Sequence, residues 1–203
     1  MGQRSQIYVR YTDENNKVYL VARYFPWNFG ERMISRCRHT LDWIQEHIKY
    51  KHYFTNEIEK LCRIIDVNFD MHDVVISSDI IDEYFKENFD DDISFNDYVF
   101  EMQPNNDGKL FIDIKDDVIK YAFLDYGCTV DKIMDAEKYM EWNWQGWRTS
   151  DSLDEDEKKT CEDNIKEINK IATLMTEDEI VDFINYDYVS DESITKKYFC
   201  NLT

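Results

Sequence analysis

The stretch QIYVRYTDENNKVYLVARYFP, residues 6–26, sets the architecture at the start of the chain because it carries two strand patterns in succession. Ile7, Val9 and Tyr11 recur at every second residue of the first run. The run KVYLVARYF repeats the alternation after TDENN, a segment with the composition of a turn. The stretch is therefore predicted to form an antiparallel β-hairpin.

This hairpin is predicted to have one apolar face and one basic, aromatic face. The apolar face consists of Ile7, Val9, Tyr11, Val18, Leu20, Ala22 and Tyr24. The opposite face consists of Arg4, Tyr8, Arg10, Tyr19, Arg23 and Phe25. The first face suits a hydrophobic core, and the second is a candidate binding surface.

A helix over about residues 29–49 is predicted to follow the hairpin. Pro26 ends the second strand, and Asn28 with Glu31 three residues later has the pattern of a capping box. Apolar residues at spacings of three and four form a core-facing stripe of Phe29, Met33, Cys37, Leu41, Ile44 and Ile48. A second flank carries Arg32, Arg36, His39 and Trp43. With Arg10 and Arg23, this flank makes up the predicted basic face of the protein.

The remainder of the chain is predicted to be mainly helical around a second hairpin. KLFIDIKDDVIKYAFLDYG, residues 109–127, alternates on both sides of a short KDD turn. Helices are predicted at 56–65, after Ser78, and from caps at Thr129, Ser152 and Thr176, with a strand at 98–103. The expected fold is α+β, with two antiparallel β-hairpins, about five to six helices, an antiparallel sheet and a helical C-terminal third.

The formal net charge of −19 is unevenly distributed over the 203 residues. Residues 1–65 hold 11 Lys and Arg against 7 Asp and Glu, a net of +4, and residues 66–203 hold 13 against 36, a net of −23. An apolar content of 43% excludes a disordered acidic tail. The chain is therefore divided into a basic region at 1–65 and an acidic region at 66–203, either as two domains or within one domain over 1–203.

Several interpretations of this charge stay open. The arginines can pair with carboxylates of the same fold or of a second copy in a homodimer, and the acidic surface can be a purely solvated face. Alternatively, the acidic surface meets a basic, nucleic-acid-binding surface of a partner protein and excludes nucleic acid from it by mimicry. A third interpretation is a nucleic-acid-binding regulator that uses the basic face.

The candidate residues for contact with a basic partner fall into two groups. The acidic candidates are Asp90, Asp91, Asp92, Asp97, Asp154, Glu155, Asp156 and Glu157. Trp144 and Trp147, in the segment WNWQGWR, are candidate aromatic anchors. Burial of these tryptophans beneath the C-terminal helices is the alternative.

Motifs that identify an enzyme are not found in the sequence. P-loop, GxGxxG, HExxH and GxSxG patterns do not occur, and no cofactor or metal site is predicted. The competing hypothesis is a metal-dependent enzyme around His72, which lies with Asp70 and Asp73 in the segment DMHD. Cys37 and Cys161 fall at apolar positions of helical patterns and are expected to be core residues.

Three segments resemble small acidic proteins carried by phages and mobile elements of Gram-positive bacteria: MGQRSQIYVRY at 1–11, ARYFPWNFGERMISR at 22–36 and NNDGKLFIDIKDDVIKYAFLDY at 105–126. The resemblance implies a phage accessory protein with an anti-defence role, a class that includes anti-CRISPR proteins. The expected function is thus a non-enzymatic inhibitor that occupies a basic surface of a host defence effector, such as an RNA-guided nuclease.

The sequence also gives an expected location. No run approaches the roughly 18 apolar residues that span a bilayer, and no apolar signal core follows the N-terminus. The expected compartment is the cytoplasm, which is that of the bacterial host if a phage encodes the chain.

Overall fold

The computed structural model describes residues 3–26, 28–49, 96, 100, 106–127 and 130–188. The strands are β1 (Arg4–Thr12), β2 (Val18–Pro26), β3 (Lys109–Lys115), β4 (Val118–Leu124) and β5 (Thr173–Leu174). The α-helices are α1 (Gly30–His47), α2 (Ala136–Asn143), α3 (Glu155–Ile171) and α4 (Glu177–Asn185). Two short 3₁₀ turns lie at Val130–Lys132 and Trp147–Thr149.

The five strands form one sheet in the order β2-β1-β3-β4-β5. β1 pairs antiparallel with β2, and β3 pairs antiparallel with β4, as the two hairpin patterns predict. β1 and β3 are parallel neighbours, and so are β4 and β5, so the sheet is mixed and the expectation of an antiparallel sheet was wrong. The fold is α+β.

The helix prediction matches the structure only in part. Four α-helices have both ends within the described residues, and Asn96 is α-helical as well, against the five to six helices expected of the whole chain. The helices predicted at 56–65 and after Ser78 lie outside the described residues. Of the strand predicted at 98–103 only Phe100 is described, and it lies in a π-helical turn, so the strand prediction is wrong at that residue.

The turn before β3 depends on a glycine that no other residue can replace without strain. Gly108 has φ +92°, and a Cβ built on it would lie 2.8 Å from the Leu124 carbonyl oxygen. The carboxylate of its neighbour Asp107 accepts a hydrogen bond from the Arg4 backbone N–H at 2.6 Å. The backbone N–H of Asp107 donates to the Arg4 carbonyl oxygen at 2.8 Å. This tight turn therefore fixes where β1 and β3 begin to pair.

Helices cover both faces of the sheet, so the central strands are buried on both sides. On one face Ile7, Ile112 and Tyr121 belong to the core that includes residues of α1, α2 and α3. On the other face Tyr8 and Phe111 pack with a second core that includes residues of α4. The face of β1 predicted to be basic and aromatic is thus itself a core face at Tyr8.

The register of the first hairpin corrects the predicted assignment of faces. Tyr11 pairs with Tyr19, and Thr12 pairs with Val18 across the five-residue turn. Tyr19 therefore shares the face of Tyr11, whereas the sequence prediction placed Val18 there. A one-residue slip in register moves a whole strand's side chains to the other face.

Of the predicted helix starts that the described residues test, three differ from the structure and one matches it. The N-cap of α1 is Phe29 and makes no side-chain cap hydrogen bond, so the capping box expected from Asn28 is absent. The helix expected from Thr129 begins at Ala136 after an Asp135 cap, because residues 130–132 form a 3₁₀ turn.

The two C-terminal helices begin with full capping boxes. Asp154 and Glu157 cap α3, two residues later than the predicted Ser152 and Glu155 pair. Thr176 and Glu179 cap α4, as predicted. The described parts of 1–65 and 66–203 share one sheet and one main hydrophobic core.

Candidate functional site

A row of charged side chains crosses the middle of the sheet on the face covered by α4. Arg10 of β1 lies opposite Asp113 of β3, and Asp113 lies opposite Lys120 of β4. Residues in register on neighbouring strands project to the same face. The sheet therefore places two cations and one carboxylate side by side beneath α4.

Arg10 is the most extensively bonded member of this row. Its Nε and Nη2 donate to the two oxygens of Asp113 at 2.9 Å and 2.8 Å, and its Nη1 donates to Asp182 of α4 at 3.0 Å. Its guanidinium carbon lies 4.7 Å from the ring centroid of Phe183 and 5.9 Å from that of Tyr186. A bidentate carboxylate and aromatic contacts together are the environment that best suits a guanidinium.

The helix above the row is held to the sheet by its charged first turn as well. Glu179 completes the capping box of α4 and also accepts a hydrogen bond from Lys120 Nζ. On the inner side of the helix, Ile180, Phe183 and Ile184 are buried in the second core. α4 is thus fixed over the sheet by apolar packing and by two ion pairs that reach strands β1 and β4.

Two groups of this region, Arg10 and Glu179, are stabilised in their ionised forms. Burial lowers the pKa of Arg10, but the hydrogen bond and charge of Asp113 raise it more, and the net pKa lies above the ordinary arginine value. The hydrogen bond from Lys120 lowers the pKa of Glu179, helped by the Thr176 backbone. Both groups keep their charge at neutral pH, which suits a binding role and does not suit proton transfer.

A groove of about 500 Å³ opens between the hairpin ends and α4 beside this row. Its strand side includes Thr12, Asn16 and Lys115, and its helix side includes Asp178, Asp182 and Tyr186. Such a volume lies in the range of about 300–1,000 Å³ that is usual for ligand sites. The described lining holds carboxylates, one amine, one guanidinium, one amide and two hydroxyls, and no cysteine or histidine.

The residues predicted as one basic face are distributed over separate places. Arg10 is buried under α4, and Arg36 is buried on the α1 side with its guanidinium 4.1 Å from the Phe25 ring centroid. Trp43 is buried and stacks on His47 with ring centroids 4.2 Å apart.

The other members of that face differ from one another in exposure. Arg32 is exposed, and His39 is half-buried with an Nε2 that makes no hydrogen bond to a described residue. Arg23 lies in β2 opposite Ile7. The described residues therefore form no continuous basic surface from this set, because Arg10 and Arg36 are buried on opposite faces of the sheet and Trp43 is buried as well.

Pairing within the fold accounts for three arginines. Arg10 bridges Asp113 and Asp182, Arg38 bridges Asp42 and Glu167, and Arg148 bridges Glu137 and Glu162. Each of these guanidinium groups is held by two carboxylates. Internal pairing, one of the open interpretations of the sequence, is present at all three.

The acidic candidates of the C-terminal region lie at the start of α3. Asp154, Glu155, Asp156 and Glu157 are exposed. Asp154 and Glu157 form the capping box, and Glu155 pairs with Lys158 at 2.9 Å. Asp156 forms no ion pair with another described residue.

Some predicted site residues cannot be placed on this site. Asp90, Asp91, Asp92 and Asp97 lie outside the described residues, as do Asp70, His72 and Asp73. In the described part of the chain, no group of three or more His, Cys, Asp or Glu side chains is arranged to hold a metal ion.

The two candidate aromatic anchors have different environments. Trp147 is fully buried in the main core, and Trp144 packs partly buried against the same core. The proposed anchoring role of Trp147 is therefore corrected, because its indole offers no surface to a partner. Cys37 and Cys161 are buried core residues, as predicted, and burial raises the pKa of the Cys161 thiol to about 12.

The sequence prediction missed Asp113, Asp178, Asp182 and Tyr186 as parts of a site. One signal was available, since YVRYT, FIDIK and VIKYA each carry a charged residue inside an otherwise apolar strand. The partner Asp182 lies 172 residues from Arg10, and no local pattern connects them.

Comparison with known proteins gives no family for this arrangement. No family model, no curated protein and no solved structure matches the chain. Within the described residues, none of the helices combines the length and the apolar character that crossing a membrane requires.

Proposed function

We propose that this protein is a non-enzymatic, acidic binding protein that occupies a basic, nucleic-acid-binding surface of another protein. In the setting that the sequence resemblance implies, the partner is a host defence effector such as an RNA-guided nuclease, and the protein is its inhibitor. The alternatives, a nucleic-acid-binding regulator and a metal-dependent enzyme around His72, stay predictions.

One observation carries this proposal: the fold pairs three of its arginines with its own carboxylates and leaves other carboxylates exposed. Arg10, Arg38 and Arg148 are each held by two carboxylates of the same chain. The first turns of α3 and α4 instead present exposed carboxylates at Glu155, Asp156, Glu157, Glu177 and Asp178.

The exposed carboxylates supply the charge that a basic partner surface requires. Asp156, Glu177 and Asp178 form no ion pair with another described residue. A surface with this sign steers a protein toward cationic grooves and competes there with phosphates, since both are recognised by Lys and Arg. The paired arginines also support it, because guanidinium groups held by carboxylates of the same chain are less available to bind nucleic acid.

The experiment is a competition assay. Guide-loaded RNA-guided nuclease binds a fluorescent target DNA, and the displaced DNA is measured by anisotropy as the protein is added. The protein is expected to displace the DNA, and the double substitution Glu155→Gln with Asp156→Asn is expected to raise the concentration needed by roughly fivefold to tenfold.

The matched control changes the same amount of charge elsewhere. Asp116→Asn with Asp131→Asn removes two exposed carboxylates from other surfaces and is expected to leave the displacement nearly unchanged. If both double variants raise the required concentration equally, the displacement depends on net charge alone and not on the carboxylates of α3. No displacement by the unaltered protein would refute the proposal for this class of partner.

A further inference from the structure

The groove beside α4 holds carboxylates that the fold leaves available. Asp113 is used by Arg10, and Glu179 is used by Lys120. Asp178 forms no ion pair with another described residue, and the Asp182 side chain is 68% exposed although one of its oxygens contacts Arg10. The helix side of the groove is therefore negative and accessible.

These groups lie in one row that suits a particular cation. Asp178, Asp182 and Tyr186 follow one another at intervals of four, so the two carboxylates and the ring line the same side of α4 and its C-terminal end. A planar guanidinium can donate hydrogen bonds to two carboxylates from its edge and stack an aromatic ring against its face, whereas an ammonium is a point charge. Arg10 already uses this chemistry, with Asp182 at its edge and Phe183 beside it.

The strand side of the groove requires hydrogen-bond acceptors on the ligand. Lys115, Thr12 and the exposed Asn16 line the strand side and supply donors. Donors on this wall suit the carbonyl oxygens of an extended peptide backbone. The ligand that satisfies both walls carries a guanidinium on one side and backbone carbonyls on the other.

We propose that this groove binds an arginine side chain of a protein partner, with the guanidinium at Asp178 and Asp182 and the adjoining backbone carbonyl at Lys115. The inference rests on the proposed function, since the arginine belongs to the basic surface that the protein occupies. It assigns the most specific contact of that surface to α4 and leaves the carboxylates of α3 to longer-range attraction.

The test uses two peptides that differ only in charge. The protein, labelled with ¹⁵N, is titrated with acetyl-Ala-Arg-Ala-amide and with the same peptide containing citrulline, which has the shape of arginine without its charge. Amide signals of Asn16, Lys115 and α4 are expected to shift with the arginine peptide. The citrulline peptide is expected to bind about tenfold more weakly.

A matched pair of variants locates the contact. Asp178 and Asp156 occupy the same position, second in a helix that begins with a capping box. Asp178→Asn is expected to weaken binding of the arginine peptide about fivefold to tenfold, and Asp156→Asn is expected to leave that binding unchanged. A Tyr186→Leu variant is expected to weaken it as well, since it removes the ring.

Three results would overturn the inference: no shift with the arginine peptide, equal shifts with citrulline, or equal effects of Asp178→Asn and Asp156→Asn. The peptide titration and the nuclease competition can fail separately. DNA displacement without peptide binding would refute the groove as an arginine site, whereas peptide binding without DNA displacement would refute the nuclease as the partner.

Discussion

At the scale of the residue, the fold depends on a buried ion pair that few sequence patterns would predict. The side chains of Arg10 and Asp113 are only 8% and 16% exposed, and the guanidinium donates two hydrogen bonds to the carboxylate. Buried pairs of this kind add little net stability compared with apolar residues, but loss of one member leaves the other charge unpaired. The pair therefore matters most for the position of α4, which Arg10 reaches through Asp182.

Arg10→Met is expected to lower the free energy of unfolding by about 1–3 kcal/mol, because it leaves the partly buried Asp113 carboxylate without its partner. The double variant with Asp113→Leu is expected to recover most of that loss, since both charges are then removed. Urea unfolding of the single and double variants measures the coupling. A single variant within about 0.5 kcal/mol of the unaltered protein would contradict the account of this pair.

Gly108 gives a second test at this scale. Gly108→Ala is expected to destabilise the protein by about 1–3 kcal/mol, because the left-handed backbone and the close Leu124 carbonyl both oppose a Cβ. Gly146→Ala is the control, since Gly146 also has a positive φ of +70° but a Cβ there would meet only Thr149 Oγ1 at 3.6 Å. Thermal unfolding should show the larger loss at Gly108, and equal losses would contradict the steric argument.

At the scale of the element, the two C-terminal helices begin with the same capping motif but pack on opposite faces of the sheet. Both begin with a capping box and three acidic residues in the first turn. Carboxylates at a helix N-terminus are stabilised by the helix dipole, so local structure favours this concentration of charge. α3 packs on the main core with α1, whereas α4 covers the opposite face of the sheet beside the groove.

Removal of each cap is expected to loosen only the helix that it begins. Thr176→Ala should cost about 1 kcal/mol and speed hydrogen exchange in α4, while Asp154→Ala should do the same in α3. Hydrogen exchange read by NMR distinguishes the two helices. Faster exchange in both helices from either substitution would show that they unfold as one unit, against this account.

The elements also show what a sequence can and cannot predict. The hairpins and α1 follow from local periodicity, and the Thr176 cap follows from a four-residue motif. The parallel pairing of β1 with β3 joins residues about a hundred positions apart, and no local pattern specifies it. The charged groove depends on that pairing and on the docking of α4, so its residues could be noticed in the sequence but not brought together.

At the scale of the whole molecule, the formal net charge of −19 is the dominant feature. Internal pairing absorbs the positive charge of at least Arg10, Arg38 and Arg148, and each of these uses two carboxylates. The remaining carboxylates repel one another across the surface. This repulsion opposes the compact state and is screened by salt, since the Debye length is about 10 Å at 0.1 M.

The melting temperature is therefore expected to rise by several degrees as sodium chloride increases from about 10 mM to 300 mM. Calorimetry at constant pH measures it, and sodium sulfate at matched ionic strength separates screening from specific ion effects. A melting temperature that falls with added salt would mean that surface ion pairs outweigh the repulsion.

The most direct test of the central claim is the salt dependence of the protein's own binding to a guide-loaded RNA-guided nuclease, measured without DNA because salt also weakens the binding of DNA. We predict that the protein binds at about 50 mM salt and that its affinity falls at least about tenfold at about 200 mM, because the contacts are mainly between exposed carboxylates and basic groups. Binding that is indifferent to salt, or no binding at about 50 mM, would contradict a protein that acts through its acidic surface.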